Sequence, residues 1–196
     1  MRQLPARIEG QGVLLRRWRV TDAERLERAV VESAEHLRPW MAWMTDEPQT
    51  LDQRRRLLAR WEQEWASGGD DTVDKHGIQA VAGSRGLHRR IGPGALEIGY
   101  WVHAAFVRRG IASKAAALLT DAAFAIPDIE RVEIHHDKAN DASAGVPRRL
   151  GYRFIGEQRD EVTAPADSGI ECVWRIERDE WPGSRTYVSA ADRVVG

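Results

Sequence analysis

The sequence predicts an α+β fold, in which helices flank a mixed, mainly antiparallel central sheet. Helical patterns dominate the first third of the chain, strand patterns dominate the rest, and two further helical segments interrupt the strands. Helices followed by a mainly antiparallel sheet are an α+β arrangement. The 196 residues contain no internal repeat, low-complexity tract or linker, so one compact unit is expected.

The N-terminal third begins with a strand and continues with helices. Gly12–Trp18 (GVLLRRW) predicts the strand. Thr21-Asp22-Ala23-Glu24 matches a capping box, in which the Thr hydroxyl and the Glu carboxylate satisfy free amides at a helix start. The predicted helix runs toward Ser33. Pro39 would break a continuing helix, so a bend and a short second piece are expected there.

A second capping box, Thr50-Leu51-Asp52-Gln53, opens the next predicted helix. The apolar stripe of this helix repeats at helical spacing and consists of Leu57, Leu58, Trp61 and Trp65. The cluster Gly68-Gly69-Asp70-Asp71 ends the helix, and the pattern changes to strands.

The remainder of the chain predicts six strands and two helices. The strand segments are Gly77–Ala82, Ser84–His88, Ala95–Val102, Arg131–His136, Tyr152–Gln158 and Gly169–Glu177. The turn-rich Arg89–Gly94 joins the second of these to the third. Gly110–Ala125, which is rich in Ala and Leu, predicts a helix, and Asn140–Leu150 predicts a shorter one.

The composition excludes several classes of protein. Hydrophobic residues form 42% of the chain, enough for a buried core, and 29 basic against 30 acidic residues give a net charge of −1. That balance argues against a protein that coats nucleic acid. Cys172 is the single cysteine, which excludes a disulfide framework and a cysteine-based zinc site, and its apolar neighbours predict a buried strand position. With no signal-peptide core and no stretch near the roughly 20 apolar residues that cross a bilayer, we expect a cytoplasmic protein without membrane contact.

Arg108-Arg109-Gly110-Ile111-Ala112 has the features of an anion site. It lies where a predicted strand gives way to a predicted helix, and amides at a helix start lack intrahelical partners at the positive end of the helix dipole. A pyrophosphate would bind there. Gly110 would allow close approach, Ala112 would keep the next turn small, and the arginines would add charge at the rim. The alternative is an ordinary solvated helix cap.

Two other nucleotide-binding motifs fail. The sequence has no G-x-x-x-x-G-K-[ST], and no G-x-G-x-x-G between a strand and a helix. Gly92-Pro93-Gly94 leads into a strand, so it predicts a hairpin turn.

Several motifs, taken in order, resemble the GNAT N-acetyltransferases, and within them the Rim-type enzymes that acetylate protein N-termini and related amines. The family's phosphate loop, [QR]-x-x-G-x-[GA], is similar to V-R-R-G-I-A, in which Val107 occupies the Gln/Arg position. The E-I-G-Y-W strand matches Glu97–Trp101, and N-x-x-S followed by L-G-[FY] matches Asn140, Ser143 and Leu150–Tyr152. The H-L-x-x-W-x-x-W segment resembles His36, Leu37, Trp40 and Trp43.

The resemblance implies acetyl-CoA as co-substrate and no metal. Backbone groups of Tyr100 and Val102 would hold the pantetheine arm on a bulged strand. Asn140 would bond the pantetheine, with a helix cap as the alternative role. The other positions of the implied coenzyme site surround the phosphate loop and are Val107, Arg108, Arg109, Gly110, Ile111, Ala112 and Ser113.

The resemblance also implies direct transfer, in which a neutral amine attacks the thioester carbonyl and the thiolate leaves with a proton. Glu97, on the strand beside the coenzyme, is the candidate base, acting directly or through water; an exposed strand carboxylate is the alternative. Many family members place a tyrosine seven residues after the asparagine as the acid, but Pro147 stands there. Ser143 is the candidate acid by analogy with the Rim branch, and a serine of the first helical turn is its alternative.

The acceptor side is assigned to aromatic residues and a histidine. Tryptophans are mostly core residues, but by resemblance Trp40 and Trp43 lie near the acceptor entrance, where a flat apolar wall would hold a peptide or a ring. His135 and His136 are adjacent on a predicted strand and point to opposite faces, so they cannot readily chelate one metal ion. We expect one of them, assigned as His135, to face the cleft.

Three functions remain open at this stage. They are an acetyl-CoA-dependent N-acyltransferase acting on a protein or peptide N-terminus, the same chemistry on a small amine such as an antibiotic or a polyamine, and a non-catalytic acyl-CoA-binding protein. The predicted partners are acetyl-CoA and the amine acceptor, and a homodimer is one candidate oligomeric state. The resemblance covers about residues 12–181, which predicts a single acetyltransferase domain at 1–181 and a C-terminal tail of unknown structure at 182–196.

Overall fold

The structure, a computed structural model, describes residues 5–66, 71–77 and 80–183. Its strands are β1 (Arg7–Gly10), β2 (Val13–Arg17), β3 (Asp71–Gly77), β4 (Ala80–His88), β5 (Ala95–Val102), β6 (Arg131–Asp137), β7 (Arg153–Arg159) and β8 (Ile170–Glu177). Its helices are α1 (Ala23–Glu32), α2 (Ala34–Leu37), α3 (Leu51–Ala66), α4 (Ile111–Phe124) and α5 (Asp141–Leu150). None of these helices is long and apolar enough to cross a membrane, over the residues just given. The tail predicted at 182–196 lies outside the described residues from position 184 onward.

Across the described residues the strands form one sheet in the order β1-β2-β3-β4-β5-β6-β8-β7. Strands β5 and β6 run parallel, and the other adjacent strands run antiparallel. Helix α4 forms the crossover between β5 and β6, as a parallel pair requires. The predicted mixed, mainly antiparallel sheet flanked by helices is therefore confirmed.

The N-terminal region departs from the prediction in two places. Strand β1 was not predicted; it pairs with β2 through a tight turn at Gln11 and Gly12, whose φ values are 52° and 71°, as hairpin turns require. The capping box at Thr21–Glu24 is wrong. A 3-10 turn precedes α1, and the Asp22 carboxylate accepts two hydrogen bonds of 2.7 Å from the Arg16 guanidinium and one of 3.0 Å from the Arg19 amide.

The second capping box is confirmed. The Gln53 amide donates to Thr50 Oγ1 at 3.2 Å, and the Thr50 amide donates to Gln53 Oε1 at 2.7 Å. Reciprocal bonds of this kind fix where α3 begins. The bend near Pro39 is also present, between α2 and a 3-10 turn over Ala42–Asp46.

The middle strands correct the prediction again. The two strands predicted at Gly77–Ala82 and Ser84–His88 are one strand, β4, which continues through Gly83. Gly83 has φ of 149°, and a Cβ there would overlap the carbonyl oxygen of Trp101 on β5, so a glycine lets the two strands stay paired. Strand β3 was missed, because its sequence DTVDKHG is too polar for a strand pattern.

Two clusters of buried side chains lie on opposite faces of the sheet. One packs α4 against β5 and β6, for example Leu119 against Ile98 and Ile134. The other packs α1 and α3 against β4, for example Leu26 and Leu58 near Val81. Cys172 is buried on β8, as predicted.

The sheet opens between β5 and β6, and this opening positions the site. The two strands pair only over Ala95–Glu97 and Arg131–Glu133. Beyond Glu97, β5 follows β4 in a regular register as far as Val102, whereas β6 follows β8. The bulge expected in β5 is absent from this described β4–β5 register. Divergence of β5 from β6 frees the backbone edge instead.

Candidate active site

A cavity of about 530 Å³ lies beside the opening, between the ends of β5, α4 and α5. Most of the residues predicted for the coenzyme, one predicted for the acceptor and the candidate acid Ser143 line it: Trp40, Tyr100, Val102, Val107, Arg108, Gly110, Ile111, Ala112, Ser113, Asn140 and Ser143. These residues come from four separate segments of the chain, so it is the fold that brings them together.

The loop before α4 has the geometry of an anion site. Gly110 is the N-cap of α4 and adopts a left-handed conformation with φ of 69°, and Arg108 also has a positive φ, of 60°. Left-handed residues in such a loop turn successive amides toward one concavity. The first amides of α4 lack intrahelical acceptors. The loop and the cavity together therefore fit a pyrophosphate followed by an extended chain.

The start of α5 faces this loop across the cavity. The Asn140 side chain caps α5, because its Oδ1 accepts the Ser143 amide at 3.1 Å. The alternative role given to Asn140 is thus observed, and its bond to pantetheine stays a prediction. Ser143 Oγ donates to the Tyr100 hydroxyl at 3.3 Å, and that hydroxyl donates to the Ser143 carbonyl at 3.1 Å. Two hydroxyls therefore meet at the cavity wall.

Arg149 is a cavity residue that the sequence analysis missed. It lies in the last turn of α5, lines the cavity and donates from Nη1 to Ser113 Oγ at 2.8 Å, which ties α5 to α4. Arg149 lies one helical turn after Gly145, which also lines the cavity, so helical spacing from the start of α5 could have indicated it. Arg109 is not among the lining residues; its guanidinium lies over the Phe106 ring at 5.4 Å.

Glu97 occupies a different environment from the one predicted. It is 4% exposed, so the alternative of an exposed carboxylate is wrong. The guanidinium of Arg90, which is 65% exposed, holds both carboxylate oxygens, with Nε 2.7 Å from Oε2. Glu97 is not among the residues that line the cavity. It lies at the last β5–β6 pair, where the sheet opens.

His135 belongs to a charge network on β6. Its ring nitrogens lie 2.8 Å from Glu133 and 3.2 Å from Glu171, and it lines neither of the two cavities described for this part of the chain. Burial alone would lower the pKa of His135, but the hydrogen bonds to the two carboxylates outweigh it and raise the pKa to about 9. His135 is therefore a cation near neutral pH. Its neighbour His136 points to the opposite face and accepts the Trp174 indole N–H at 3.0 Å, as strand geometry predicts.

A second cavity, of about 480 Å³, adjoins the first from the other face of the sheet. The two cavities share Met41, Tyr100 and Trp101. The walls of the second cavity include Trp43 and Trp61, and the Trp43 and Trp101 rings are 6.2 Å apart. Trp43 thus lines the second cavity and Trp40 the first, so both predicted acceptor tryptophans lie around the junction.

Comparison with known proteins agrees with this arrangement. The family model of the acetyltransferase (GNAT) domain matches residues 13–153. The chain is 27% identical over 174 residues to YdaF of Bacillus subtilis (strain 168), which is named as a putative ribosomal N-acetyltransferase; the match covers 84% of this chain and 90% of YdaF.

Solved structures share the fold, and RimL and MccE are two of them. RimL, a ribosomal alpha-N-protein acetyltransferase in complex with coenzyme A, has a TM-score of 0.78 at 20% identity and covers 90% of this chain and 98% of its own. The microcin self-immunity acetyltransferase MccE, in complex with acetyl-CoA and AMP, has a TM-score of 0.78 at 16% identity and covers 86% of this chain and 93% of its own.

Proposed function

The chain belongs to the acetyltransferase (GNAT) domain family, and we propose that it acetylates the α-amino group of a protein or peptide N-terminus. It is an acetyltransferase that uses acetyl-CoA as co-substrate. The observation that carries the proposal is the meeting of two cavities at Met41, Tyr100 and Trp101. One cavity offers a helix start for a pyrophosphate, and the other gives an amine access to the same strand from the opposite face.

Acetyl-CoA would bind in the first cavity. The free amides at the start of α4 would hold the pyrophosphate, with Gly110 shaping the loop and Arg149 adding a guanidinium from α5. Backbone groups of Tyr100 and Val102, which have no β6 partner, would hold the pantetheine. The thioester supplies the acetyl group; the remaining tasks are binding, orientation and proton movement by this chain's own groups.

Glu97 remains the proposed base, under a condition that its ion pair imposes. The Arg90 guanidinium occupies both carboxylate oxygens, so it must move before either oxygen can receive a proton. Because the Arg90 side chain is largely exposed, it can move into solvent and leave Glu97 to take the ammonium proton, directly or through water. His135 does not compete for this role near neutral pH, since it is already protonated between two carboxylates.

Ser143 remains the proposed proton donor to the leaving sulfur. Its hydroxyl lies in the first turn of α5, lines the first cavity and is held toward β5 by Tyr100. No tyrosine is available at the position of Pro147, which is buried inside α5.

An N-terminal acceptor is supported by the names of two relatives and by charge. YdaF is named as a putative ribosomal N-acetyltransferase and RimL as an alpha-N-protein acetyltransferase. The second cavity includes the exposed carboxylate of Asp46, which would attract an ammonium group. A peptide could reach the junction with its amino group leading.

A small amine with a planar body is the second candidate. The rings of Trp43, Trp61 and Trp101 form much of the second cavity, and aromatic walls favour flat apolar groups. At about 480 Å³ the cavity has the size of a small-molecule site.

Release of free thiol from acetyl-CoA, measured against a panel of acceptors, tests the proposal. We expect turnover with short peptides that carry a free α-amino group, and mass spectrometry should locate the acetyl group on that nitrogen. The matched control is each peptide with its N-terminus formylated, which keeps any lysine amines. Turnover confined to small aromatic amines would favour the second candidate, and equal turnover with formylated peptides would contradict an N-terminal acceptor.

A further inference from the structure

Arg85 on β4 is a buried cation that forms no ion pair with any of the described side chains. Its side chain is 2% exposed, and within the described part of the chain neither Nε nor Nη2 has a hydrogen-bond partner. Its one described bond runs from Nη1 to the Ala112 carbonyl at 3.5 Å, which is long. Burial lowers the pKa of Arg85 to about 9, so the guanidinium is still charged at neutral pH.

An unpaired buried charge is costly to a fold. Water solvates a guanidinium far better than a protein interior does, and a carboxylate normally offsets the loss. None of the described ion pairs includes Arg85. Within the described residues its charge is therefore uncompensated, and a negative charge that develops beside it during turnover would offset this cost.

The position of Arg85 indicates where that negative charge arises. Arg85 and Tyr100 are directly opposite each other on β4 and β5, so their side chains lie on the same face. The Tyr100 hydroxyl in turn contacts both the hydroxyl and the carbonyl of Ser143. The guanidinium and the phenol thus share one face of the sheet and influence each other's charge, and the phenol contacts a hydroxyl at the wall of the first cavity.

The Tyr100 hydroxyl stays protonated in the resting state. Burial raises the pKa of Tyr100 to about 12, although Ser143 and the Arg85 charge both act to lower it. A phenol in that state has a proton to give, and a nearby cation makes the phenolate less unfavourable.

We propose that Tyr100 supplies the proton for the leaving sulfur through Ser143, and that Arg85 stabilises the phenolate left behind. As the amine nitrogen bonds to the acetyl carbon, the carbon–sulfur bond breaks and its electron pair goes to sulfur. Sulfur takes the Ser143 hydroxyl proton, and Ser143 takes the Tyr100 proton by rotation of both hydroxyls. The proton that the amine loses returns to Tyr100 through solvent. Tyr100 and Arg85 are positioning residues in this scheme, because they act through Ser143.

This inference rests on the proposed acetyl transfer, and a double-mutant cycle tests it. Arg85→Met removes the charge and keeps the volume, and Tyr100→Phe removes the hydroxyl and keeps the ring. We expect each to lower kcat by roughly 10- to 100-fold, as for loss of one transition-state partner. We expect acetyl-CoA affinity by calorimetry to stay within about twofold. In the double variant, Arg85→Met should cause no further loss, because Arg85 acts only through Tyr100.

The thermal stability of Arg85→Met is a second readout. It would fall, rather than rise, if Arg85 had only a structural role. We expect Arg85→Met to raise Tm by a few degrees, because it removes an uncompensated buried charge. Arg178→Met is the matched control. Arg178 donates to the Phe124 and Ile126 carbonyls at 2.6 and 2.7 Å and is not among the residues that line the cavity, so its loss should lower Tm and leave kcat unchanged.

The failures are distinguishable. No thiol release by the wild type with any amine would contradict the proposed function before any variant is made. With an active wild type, an unchanged kcat in Arg85→Met, or losses that multiply in the double variant, would overturn the relay. So would a large fall in acetyl-CoA affinity, which would make Arg85 a coenzyme ligand, or a fall in Tm. Partial recovery of kcat in Arg85→Lys, which keeps the charge, is the expected rescue.

Discussion

The two faces of β5 differ in the groups that they present: one carries binding groups around a cavity, and the other carries ion-paired side chains. On the face toward α4 and α5, the cavity is built from backbone amides, hydroxyls and the left-handed Gly110. On the other face, Glu97 and the neighbouring residues of β6 are tied into ion pairs, such as Glu97 with Arg90 and Glu133 with His135. The first face is ready to bind an anion, whereas the second must release a partner before its carboxylate can accept a proton.

Local sequence carries the binding groups of the first face but not the ion pairs of the second. A helix start carries its binding groups in consecutive residues, so its function follows from a short stretch of sequence. An ion-paired side chain depends on partners that only the folded sheet brings near. Substitutions on each face should therefore have effects of different kind and size.

The largest effect is expected on the α4 face, from Gly110→Val. A β-branched residue cannot easily adopt φ of 69°, and its side chain would project where the pyrophosphate binds. We expect acetyl-CoA affinity by calorimetry to fall by at least about 100-fold, because both the amide geometry and the space are lost.

Gly12→Val is the control for this variant. Gly12 has a similar φ of 71°, nothing lies within 4 Å of the point that a Cβ would occupy, and it belongs to the β1–β2 turn. It should carry the same backbone strain with no change in acetyl-CoA affinity. If acetyl-CoA affinity is unchanged in Gly110→Val, with the fold intact by circular dichroism, the coenzyme does not bind at the start of α4.

A smaller effect on turnover is expected on the opposite face, from Glu97→Gln. The amide keeps the shape but accepts no proton, so kcat should fall by roughly 100-fold while acetyl-CoA affinity holds. The loss should shrink at high pH, where more of the acceptor amine is already neutral. Steady-state rates between pH 6 and 9 measure it.

Arg90→Met separates a base from a structural ion pair. This change frees the Glu97 carboxylate without removing it, so turnover should equal or exceed that of the wild type if Glu97 is the base. If Glu97→Gln and Arg90→Met lower Tm and turnover in parallel, the pair is structural. A wild-type rate in Glu97→Gln across the whole pH range would place the base elsewhere.

The α4 face was predictable from the sequence because its signals are local. The helix start at Gly110 and the cap at Asn140 each involve residues within a few positions of one another, and each is present. The order of elements and the mixed sheet followed from the same kind of pattern. Resemblance to a known family then assigned the coenzyme.

What the sequence did not predict depends on long-range packing. Arg85, in the segment SRGLHRR, has the pattern of an exposed basic strand residue; it is buried, and its described hydrogen bond reaches Ala112 in the first turn of α4. Strand β3 is too polar to be recognised alone and forms by pairing between β2 and β4. His135 was assigned to the acceptor, but carboxylates from β6 and β8 surround it.

The smallest effect is expected in the pH dependence of stability, through His135. Its folded pKa of about 9 exceeds the ordinary value of 6.5, so its ion pairs stabilise the fold fully below about pH 6.5, and this contribution is lost as pH rises to about 9. Burial alone would raise the pKa of Glu133, but His135 and Arg175 lower it to about 2. The Glu133 contribution is therefore present above about pH 4.5 and lost as pH falls toward 2.

His135→Gln should make the free energy of unfolding less dependent on pH on the alkaline side. The dependence on the acidic side should remain, because Glu133 and Arg175 are unchanged. We expect the variant to lose on the order of 1 kcal/mol, a few degrees in Tm, near pH 6, and to approach the wild type near pH 9. Thermal unfolding at intervals from about pH 5 to 9.5 measures the difference. His36→Gln is the control, because His36 is exposed and outside the network, and it should leave the slope unchanged. A constant difference between His135→Gln and wild type at every pH would mean that His135 stabilises the sheet by packing, and the charged face would then be no more pH-sensitive than the α4 face.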